Sequence, residues 1–205
     1  MLKRIFECIG SSNEYFVEFG AWDGRHLSNT AHLRLDHGWS GLLMEGSPER
    51  RSEEVRQEFV TVENIHSLFA RYRVPERFDL LSIDIDGNEY WVWKALRDFR
   101  ARVVVIEYNV FFGTAVSKTM PYAPDHIWDK TMFHGASLAA LRKLGRQKGY
   151  SLVHTDSYAP NAFFVADSEL PAAAVDPPLE RLAAWVWDEP TAEPPIPEGR
   201  AWTAV

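Results

Sequence analysis

Residues 15–24 read YFVEFGAWDG, a short apolar run that two glycines follow. Phe16 and Val17 lie in the apolar run, so the stretch predicts a buried strand that enters a tight turn at Gly20 and leads through Gly24 into a helix. The glycine spacing is not the G-x-G-x-x-G of dinucleotide-binding proteins, whose extra glycine faces a pyrophosphate. The turn therefore suits a ligand without phosphates, although a purely structural strand–turn–helix would share this pattern. The same absence of G-x-G-x-x-G disfavours a nicotinamide-dependent reductase.

Further short apolar runs recur along the chain, and amphipathic stretches of helix length lie between them. This alternation is typical of an α/β fold. Strands are predicted at residues 15–19, 41–44, 78–83, 103–106, 150–154 and 162–165, and helices at 25–36, 47–57, 65–72, 88–96 and 138–148. Whether residues 58–62 form a short third strand is left open. The last two strands can pair as a hairpin. We therefore expect a Rossmann-like three-layer sandwich, with a mostly parallel twisted sheet and a C-terminal antiparallel hairpin.

Length, charge and cysteine content narrow the function classes. A chain of 205 residues suits one domain, which we place at residues 1–168, before a proline-rich tail at 169–205 that carries the apolar patch 182–187. The net charge of -7 argues against nucleic-acid binding. The single cysteine, Cys8, cannot form an internal disulfide, and no signal peptide or membrane helix is apparent. We expect a cytoplasmic protein without a membrane partner; a homo-oligomer stays open.

Acidic residues follow several predicted strands. Glu45 ends the second strand, about 20 residues after the glycine turn, where such folds hold both hydroxyls of a ribose. Together with Glu18, Gly20 and Gly24, it predicts a nucleotide-type cofactor site. A solvated acid at a strand end is the simpler alternative, but it does not explain the coincidence.

A second acidic group follows the two central strands. Because adjacent parallel strands end side by side, Asp84, Asp86, Glu107 and Asn109 are expected to converge on one crevice. Four oxygen donors suit Mg²⁺, and the arrangement resembles that of metal-dependent catechol-type O-methyltransferases. Alternatively, Asp86 and Asn88 are turn and N-cap residues, or a carboxylate binds substrate or acts as a general base.

His134 is the best histidine candidate for a general base, because it follows a long aromatic-rich loop at 109–135 and precedes a helix. Loops of this length in compact domains are usually functional. A surface histidine without a catalytic role is the plain alternative.

With these residues in view, the chain resembles the FkbM-like branch of the class I methyltransferases. The resemblance spans about residues 15–166 and rests on FVEFGAWDGRHLSNT, GLLMEGSPER, FDLLSIDIDGNEYWVWKAL, VVVIEYN, FHGASLAALRKLGRQKGYSLV and NAFFV. It implies a seven-stranded sheet, S-adenosylmethionine as methyl donor and O-methylation of a small molecule, such as a sugar or a natural-product intermediate. It also implies that Glu18, Gly20 and Gly24 line the methionine end of the cofactor, that Glu45 holds the ribose and that Asp84 faces the reaction centre.

One segment departs from the family pattern. Between Glu45 and Phe78 the sequence is short for a helix, a strand and another helix. Either the third strand is compressed into residues 58–62, in which case Glu63 or Asn64 is expected to contact adenine, or the strand is missing and the adenine pocket is open. The second case motivates an alternative function, a catalytically inactive relative that serves as a binding or assembly module.

Overall fold

The protein is described by a computed structural model that covers residues 1–48, 52–156, 159–174, 189 and 191–205. The α-helices in these ranges are α1 (Leu2–Ile9), α2 (Ala31–His37), α3 (Ile65–Arg71), α4 (Glu89–Ala95) and α5 (Leu138–Lys148). The strands are β1 (Tyr15–Phe19), β2 (Ser40–Glu45), β3 (Val55–Gln57), β4 (Arg77–Ile83), β5 (Arg100–Glu107), β6 (Lys118–Thr119), β7 (Tyr150–Thr155), β8 (Asn161–Ala166) and β9 (Thr203–Ala204).

Seven strands form one sheet in the order β3-β2-β1-β4-β5-β8-β7. The first five run parallel, whereas β8 is antiparallel to β5 and to β7. The strand order reverses at β1, so a crevice opens beyond the carboxyl ends of β1 and β4, where α/β sheets bind their ligands. The predicted α/β class, the mostly parallel sheet and the closing hairpin are confirmed.

Apolar side chains of the sheet face two helical layers. One layer consists of α3, α4 and α5, which pack on residues such as Val17 and Val104. The other consists of α1 and α2, which pack on residues such as Phe16 and Val103. Because neighbouring residues of β1 and β5 face opposite layers, both strands must be apolar along most of their length. This burial on two sides holds the crevice in place.

Two predicted helices are wrong in extent or type. The helix predicted at 25–36 covers only Ala31–His37, because the hydroxyls and backbone amides of residues 28–30 bond to Glu18 rather than entering a helix. The helix predicted at 47–57 is not formed in its described second half, where Val55–Gln57 pairs with β2 as the third strand. Residues 49–51 lie outside the described part. The third strand therefore exists, but it precedes residues 58–62.

Helix α5 was predicted correctly because residues at both of its ends mark where it begins and stops. The Ser137 hydroxyl accepts a hydrogen bond from the Ala140 amide at 3.1 Å, and Gly149 ends the helix in a left-handed conformation. A serine cap and a terminal glycine are local signals, so they can be recognised without knowing the tertiary contacts.

The long loop at 109–135 and the described end of the tail pack on each other. Strand β6 of the loop pairs with β9 of the tail, and the Trp202 ring lies on the rings of Phe112 and Phe133. The apolar patch 182–187 lies outside the described residues. None of the described helices combines the length and apolar character that crossing a membrane requires.

Candidate functional site

The ends of three strands meet at the glycine turn after β1. The amide of Asp84 donates to the Phe19 carbonyl at 3.1 Å, and the amide of Ala21 donates to the Met44 carbonyl at 3.1 Å. Gly20 has a positive φ of 76°, and a Cβ there would lie 1.4 Å from the Asp84 carbonyl oxygen. No side chain fits at this position, so the turn needs glycine to bring β1 and β4 into contact.

Three of the predicted acids converge beside this turn. Asp84, Asp86 and Glu107 each offer a carboxylate oxygen, and these oxygens lie within 4.8 Å of one another. Asp84 and Glu107 also share a side-chain hydrogen bond, which requires that one of the two carboxyls keeps its proton. This set of oxygen donors could hold a hard divalent cation.

The acids disfavour each other's ionisation. Burial raises the pKa of Asp84 to about 7, and the charges of Asp86 and Glu18 add to the effect. Burial also raises the pKa of Glu107 well above its usual range, with a further contribution from Asp84. One oxygen of Glu107, Oε2, is buried without a hydrogen-bond partner. Buried carboxyls of this kind favour a positively charged ligand or a proton.

Glu89 is an acid of this crevice that sequence reasoning missed. It is fully buried at the start of α4, where its Oε1 accepts from the amides of Ile85 and Gly87 at 3.1 and 2.6 Å. Its Oε2 has no partner, and burial raises its pKa to about 8. The only local signal was an acid at the first helical position after Asn88, where a carboxylate can accept from amides that precede the helix.

Asn109 is used within the fold. Its Nδ2 donates to the carbonyls of Met132 and His134, both at 2.8 Å, while its Oδ1 accepts from the amide of Phe111 at 3.0 Å. These bonds hold the two ends of the long loop together. Both polar groups of the Asn109 side chain are therefore used within the fold, and its role as a metal ligand stays a prediction.

Glu18 and Glu45 have different surroundings. Glu18 is buried, and its oxygens accept from the Ser28 hydroxyl, the Asn29 amide and the Thr30 hydroxyl, so it organises the loop before α2. Glu45 is only partly buried, and it accepts from the Trp22 amide at 3.0 Å and the Ser47 amide at 2.8 Å. Each oxygen of Glu45 keeps acceptor capacity for a further donor, such as a hydroxyl of a ligand.

The remaining residues predicted for the cofactor site make contacts within the fold. Gly24 is buried with a positive φ of 76°, and a Cβ there would meet the side chains of Leu43 and Val55 at 3.0 and 3.2 Å. Glu63 bonds to the Tyr122 hydroxyl, and Asn64 bonds to the backbone of Thr61 and Phe59. These contacts shape the turn and the segment after β3.

Phe59 was not predicted as a site residue. Its side chain lies against Gly46, directly after Glu45, since a Cβ on Gly46 would come within 2.7 Å of the Phe59 ring. The residue is nevertheless 44% exposed. An aromatic face is thus available to a flat ligand group near Glu45, two residues after β3 ends at Gln57.

The long loop places two histidines near the crevice. His126 packs on Gly87, and its Nε2 donates to the Asp86 carbonyl at 3.1 Å. His134 lies beside Trp128, and its buried Nδ1 has no hydrogen-bond partner. Burial lowers the pKa of His134, and the neighbouring His126 lowers it further. The next residue, Gly135, faces Glu89 Oε2, with 3.4 Å between that oxygen and a Cβ built on the glycine.

Comparison with protein families adds an independent line of evidence. The Methyltransferase FkbM domain matches residues 8–152, which is more than half of the chain and includes β1–β5 and all the acids described above. No curated protein matches the sequence significantly. The extent of the domain match, together with a seven-stranded sheet whose crevice carries the matched acids, shows that the chain belongs to the FkbM-domain family of methyltransferases.

Proposed function

We propose that this protein transfers the methyl group of S-adenosylmethionine to a hydroxyl of a small molecule, such as a sugar or a natural-product intermediate. The observation that carries the proposal is the group of acids beside the Gly20 turn, in a chain that belongs to a methyltransferase family. A crevice with several raised carboxyl pKa values favours a cationic ligand, and the sulfonium and amino groups of the donor are cationic.

Several residues fit the parts of this donor. Glu45 has acceptor capacity for both ribose hydroxyls, and the exposed face of Phe59 suits adenine. We place the methionine end beside the Gly20 turn, next to the acids. The bound donor supplies a methyl group that is already activated by the positive sulfur. The protein's task is then mainly to orient the acceptor hydroxyl and exclude water.

The carboxyl pair of Asp84 and Glu107 can also manage the acceptor's proton. With a pKa of about 7, Asp84 is partly ionised at neutral pH, so it can accept the hydroxyl proton while Glu107 keeps its own. His134 offers a second base from the loop, because its imidazole is neutral and its Nδ1 is unpartnered. Which of the two groups accepts the proton depends on the pose of the acceptor.

A divalent cation is the alternative use of the same acids: with the ion bound, Asp84 and Glu107 are both ionised as ligands, and His134 is left as the base. Asp84, Asp86 and Glu107 fit Mg²⁺ as oxygen donors, and the cation would supply positive charge that lowers the proton affinity of the acceptor hydroxyl. If this is right, Mg²⁺ should raise the melting temperature at pH 8, and Asp86→Asn should remove that effect. The exposed acid Asp98 provides the control variant Asp98→Asn.

The test of the function is the formation of S-adenosylhomocysteine when the protein meets S-adenosylmethionine and a panel of neutral sugars and polyols. Production that depends on the acceptor and is lost in Asp84→Asn supports the proposal. Binding of the donor with no turnover on any acceptor would favour the inactive module instead. That alternative is weakened because the third strand, whose apparent absence motivated it, is formed.

The remaining expectations stand as proposals. We place the protein in the cytoplasm, with a small-molecule acceptor as its partner and without nucleic-acid or membrane partners. The exposed, free thiol of Cys8 supports a reducing compartment.

A further inference from the structure

Helix α2 lies outside the crevice and carries two histidines that face each other. His32 and His37 are both exposed, and their Nε2 atoms are 3.2 Å apart. The helix ends at His37, since Gly38 follows in a left-handed conformation. Neither imidazole has a role in the methyl-transfer site described above.

The separation of the two nitrogens matches that of two ligands on one metal ion. With zinc–nitrogen bonds of about 2.05 Å and tetrahedral angles, two ligand nitrogens lie about 3.3 Å apart. We propose that His32 and His37 form a binding site for a divalent transition-metal ion, such as Zn²⁺ or Ni²⁺.

The orientation of the rings supports a shared ligand. The ring centres are 4.8 Å apart and the ring planes are nearly perpendicular, at 87°. If the two nitrogens pointed straight at each other, the ring centres would be farther apart than this. The two Nε2 atoms therefore do not point straight at each other, as they would in a collinear pair.

A carboxylate orients one of the ligands. His32 Nδ1 lies 2.7 Å from Asp36 Oδ2, so the Nδ1 proton is donated to the carboxylate and the Nε2 lone pair is left available. Metal-binding histidines usually donate their second ring nitrogen to a carboxylate or a carbonyl in this way. Asp36 would thus be a positioning residue for the site.

The proton count is consistent with metal binding. Without a metal, His37 Nε2–H donates to His32 Nε2. When the ion binds, it takes the place of that proton, which moves to Nδ1 of the same His37 ring. Two imidazoles favour Ni²⁺, Cu²⁺ and Zn²⁺ over Mg²⁺, so the site differs chemically from the crevice, which offers carboxylate oxygens. The other coordination positions would hold water, because the histidines face solvent.

Isothermal titration of Ni²⁺ into the full chain, produced without a histidine tag, tests the proposal. We expect one ion at the histidine pair in addition to the ion that the crevice acids can hold, an affinity at the pair reduced at least tenfold in His32→Ala and in His37→Ala, and a reduction of about tenfold in Asp36→Asn. The control His66→Ala, on α3, should bind as the wild type does. Because the two ligands are exposed, circular dichroism should show folded variants.

Two results would overturn the proposal. One is that folded wild-type protein binds no Ni²⁺. The other is that binding persists in His37→Ala and disappears in Asp84→Asn, which would assign the ion to the crevice.

Discussion

Asp84 is one of the buried acids whose ionisation the fold opposes. Its pKa is about 7 in the folded protein, against 3.8 in a solvated chain, because burial and the charges of Asp86 and Glu18 disfavour the ionised form. Between these two values the folded state holds a proton that the unfolded state has lost. Stability therefore falls as the pH rises through this interval, and the full cost is present above the folded pKa.

Replacing Asp84 with asparagine should remove this pH-dependent cost. From pH 5 to pH 8 the wild type should lose stability through Asp84, whereas Asp84→Asn should not. The difference in free energy of unfolding, variant minus wild type, should therefore increase by about 2 kcal/mol over this range. Urea denaturation at both pH values, with a chelator present, measures the difference. The exposed Asp98→Asn should show no such trend, and a parallel pH dependence of Asp84→Asn and wild type would contradict the assignment.

The sequence pattern predicted which acids lie close together, but not which hydrogen-bond partners each acid has. Asp84 and Glu107 could be placed together because each ends a buried strand, and strand ends are recognisable from local sequence. Glu18 and Asn109 could not be assigned, because their partners come from loops whose paths depend on tertiary contacts. Glu89 was missed because an acid in the first turn of a helix is common for local reasons.

Among the strands of the main sheet, β3 is the one whose position the sequence did not predict. Three residues are too few to show the alternation of a strand, so Val55–Gln57 could not be recognised from sequence. The strand is stabilised by its pairing with β2 rather than by the local propensity of its residues. The long strands β4 and β5 were predictable, because burial on both faces demands continuous apolar runs. Strand β3 ends at Gln57, and Phe59, two residues later, lies against Gly46, the residue after Glu45.

This position makes Phe59 the predicted adenine contact. Phe59→Ala should weaken S-adenosylhomocysteine binding by about 10-fold, because stacking of a base on an aromatic ring contributes about 1–3 kcal/mol. Isothermal titration measures the change. Leu35→Ala, which removes an exposed apolar side chain from α2, serves as the control. Equal affinities of Phe59→Ala and wild type would remove Phe59 from the site.

At the scale of the whole molecule, the described tail holds the long loop against the domain. Trp202 packs on Phe112 and Phe133, Arg200 forms an ion pair with Asp129 at 2.7 Å, and Lys118 bonds to Glu193 at 2.6 Å. In each of these contacts the loop residue lies within the part of the chain that the family domain matches, and the tail residue lies beyond it. The sequence marks the tail by its prolines, but not its docking site, because the residues that it contacts lie far away along the chain.

Trp202→Ala should therefore loosen the loop and leave the sheet unchanged. We expect faster hydrogen–deuterium exchange in residues 109–135, with unchanged exchange in β1, β4 and β5, because the lost contacts are confined to the loop and the tail. Ile196→Ala, at an exposed tail position, should exchange as the wild type does. Unchanged exchange of the loop in Trp202→Ala would show that the tail does not hold it.

The most direct test of the central claim is isothermal titration of S-adenosylhomocysteine into the folded wild-type chain and into Glu45→Gln. We predict saturable binding at one site per chain, with an affinity at least about tenfold lower in Glu45→Gln, because charged acceptors form stronger hydrogen bonds to hydroxyls than neutral ones. Glu53→Gln, an exposed acid between β2 and β3, should bind as the wild type does. No detectable binding to well-folded wild-type protein would contradict the account.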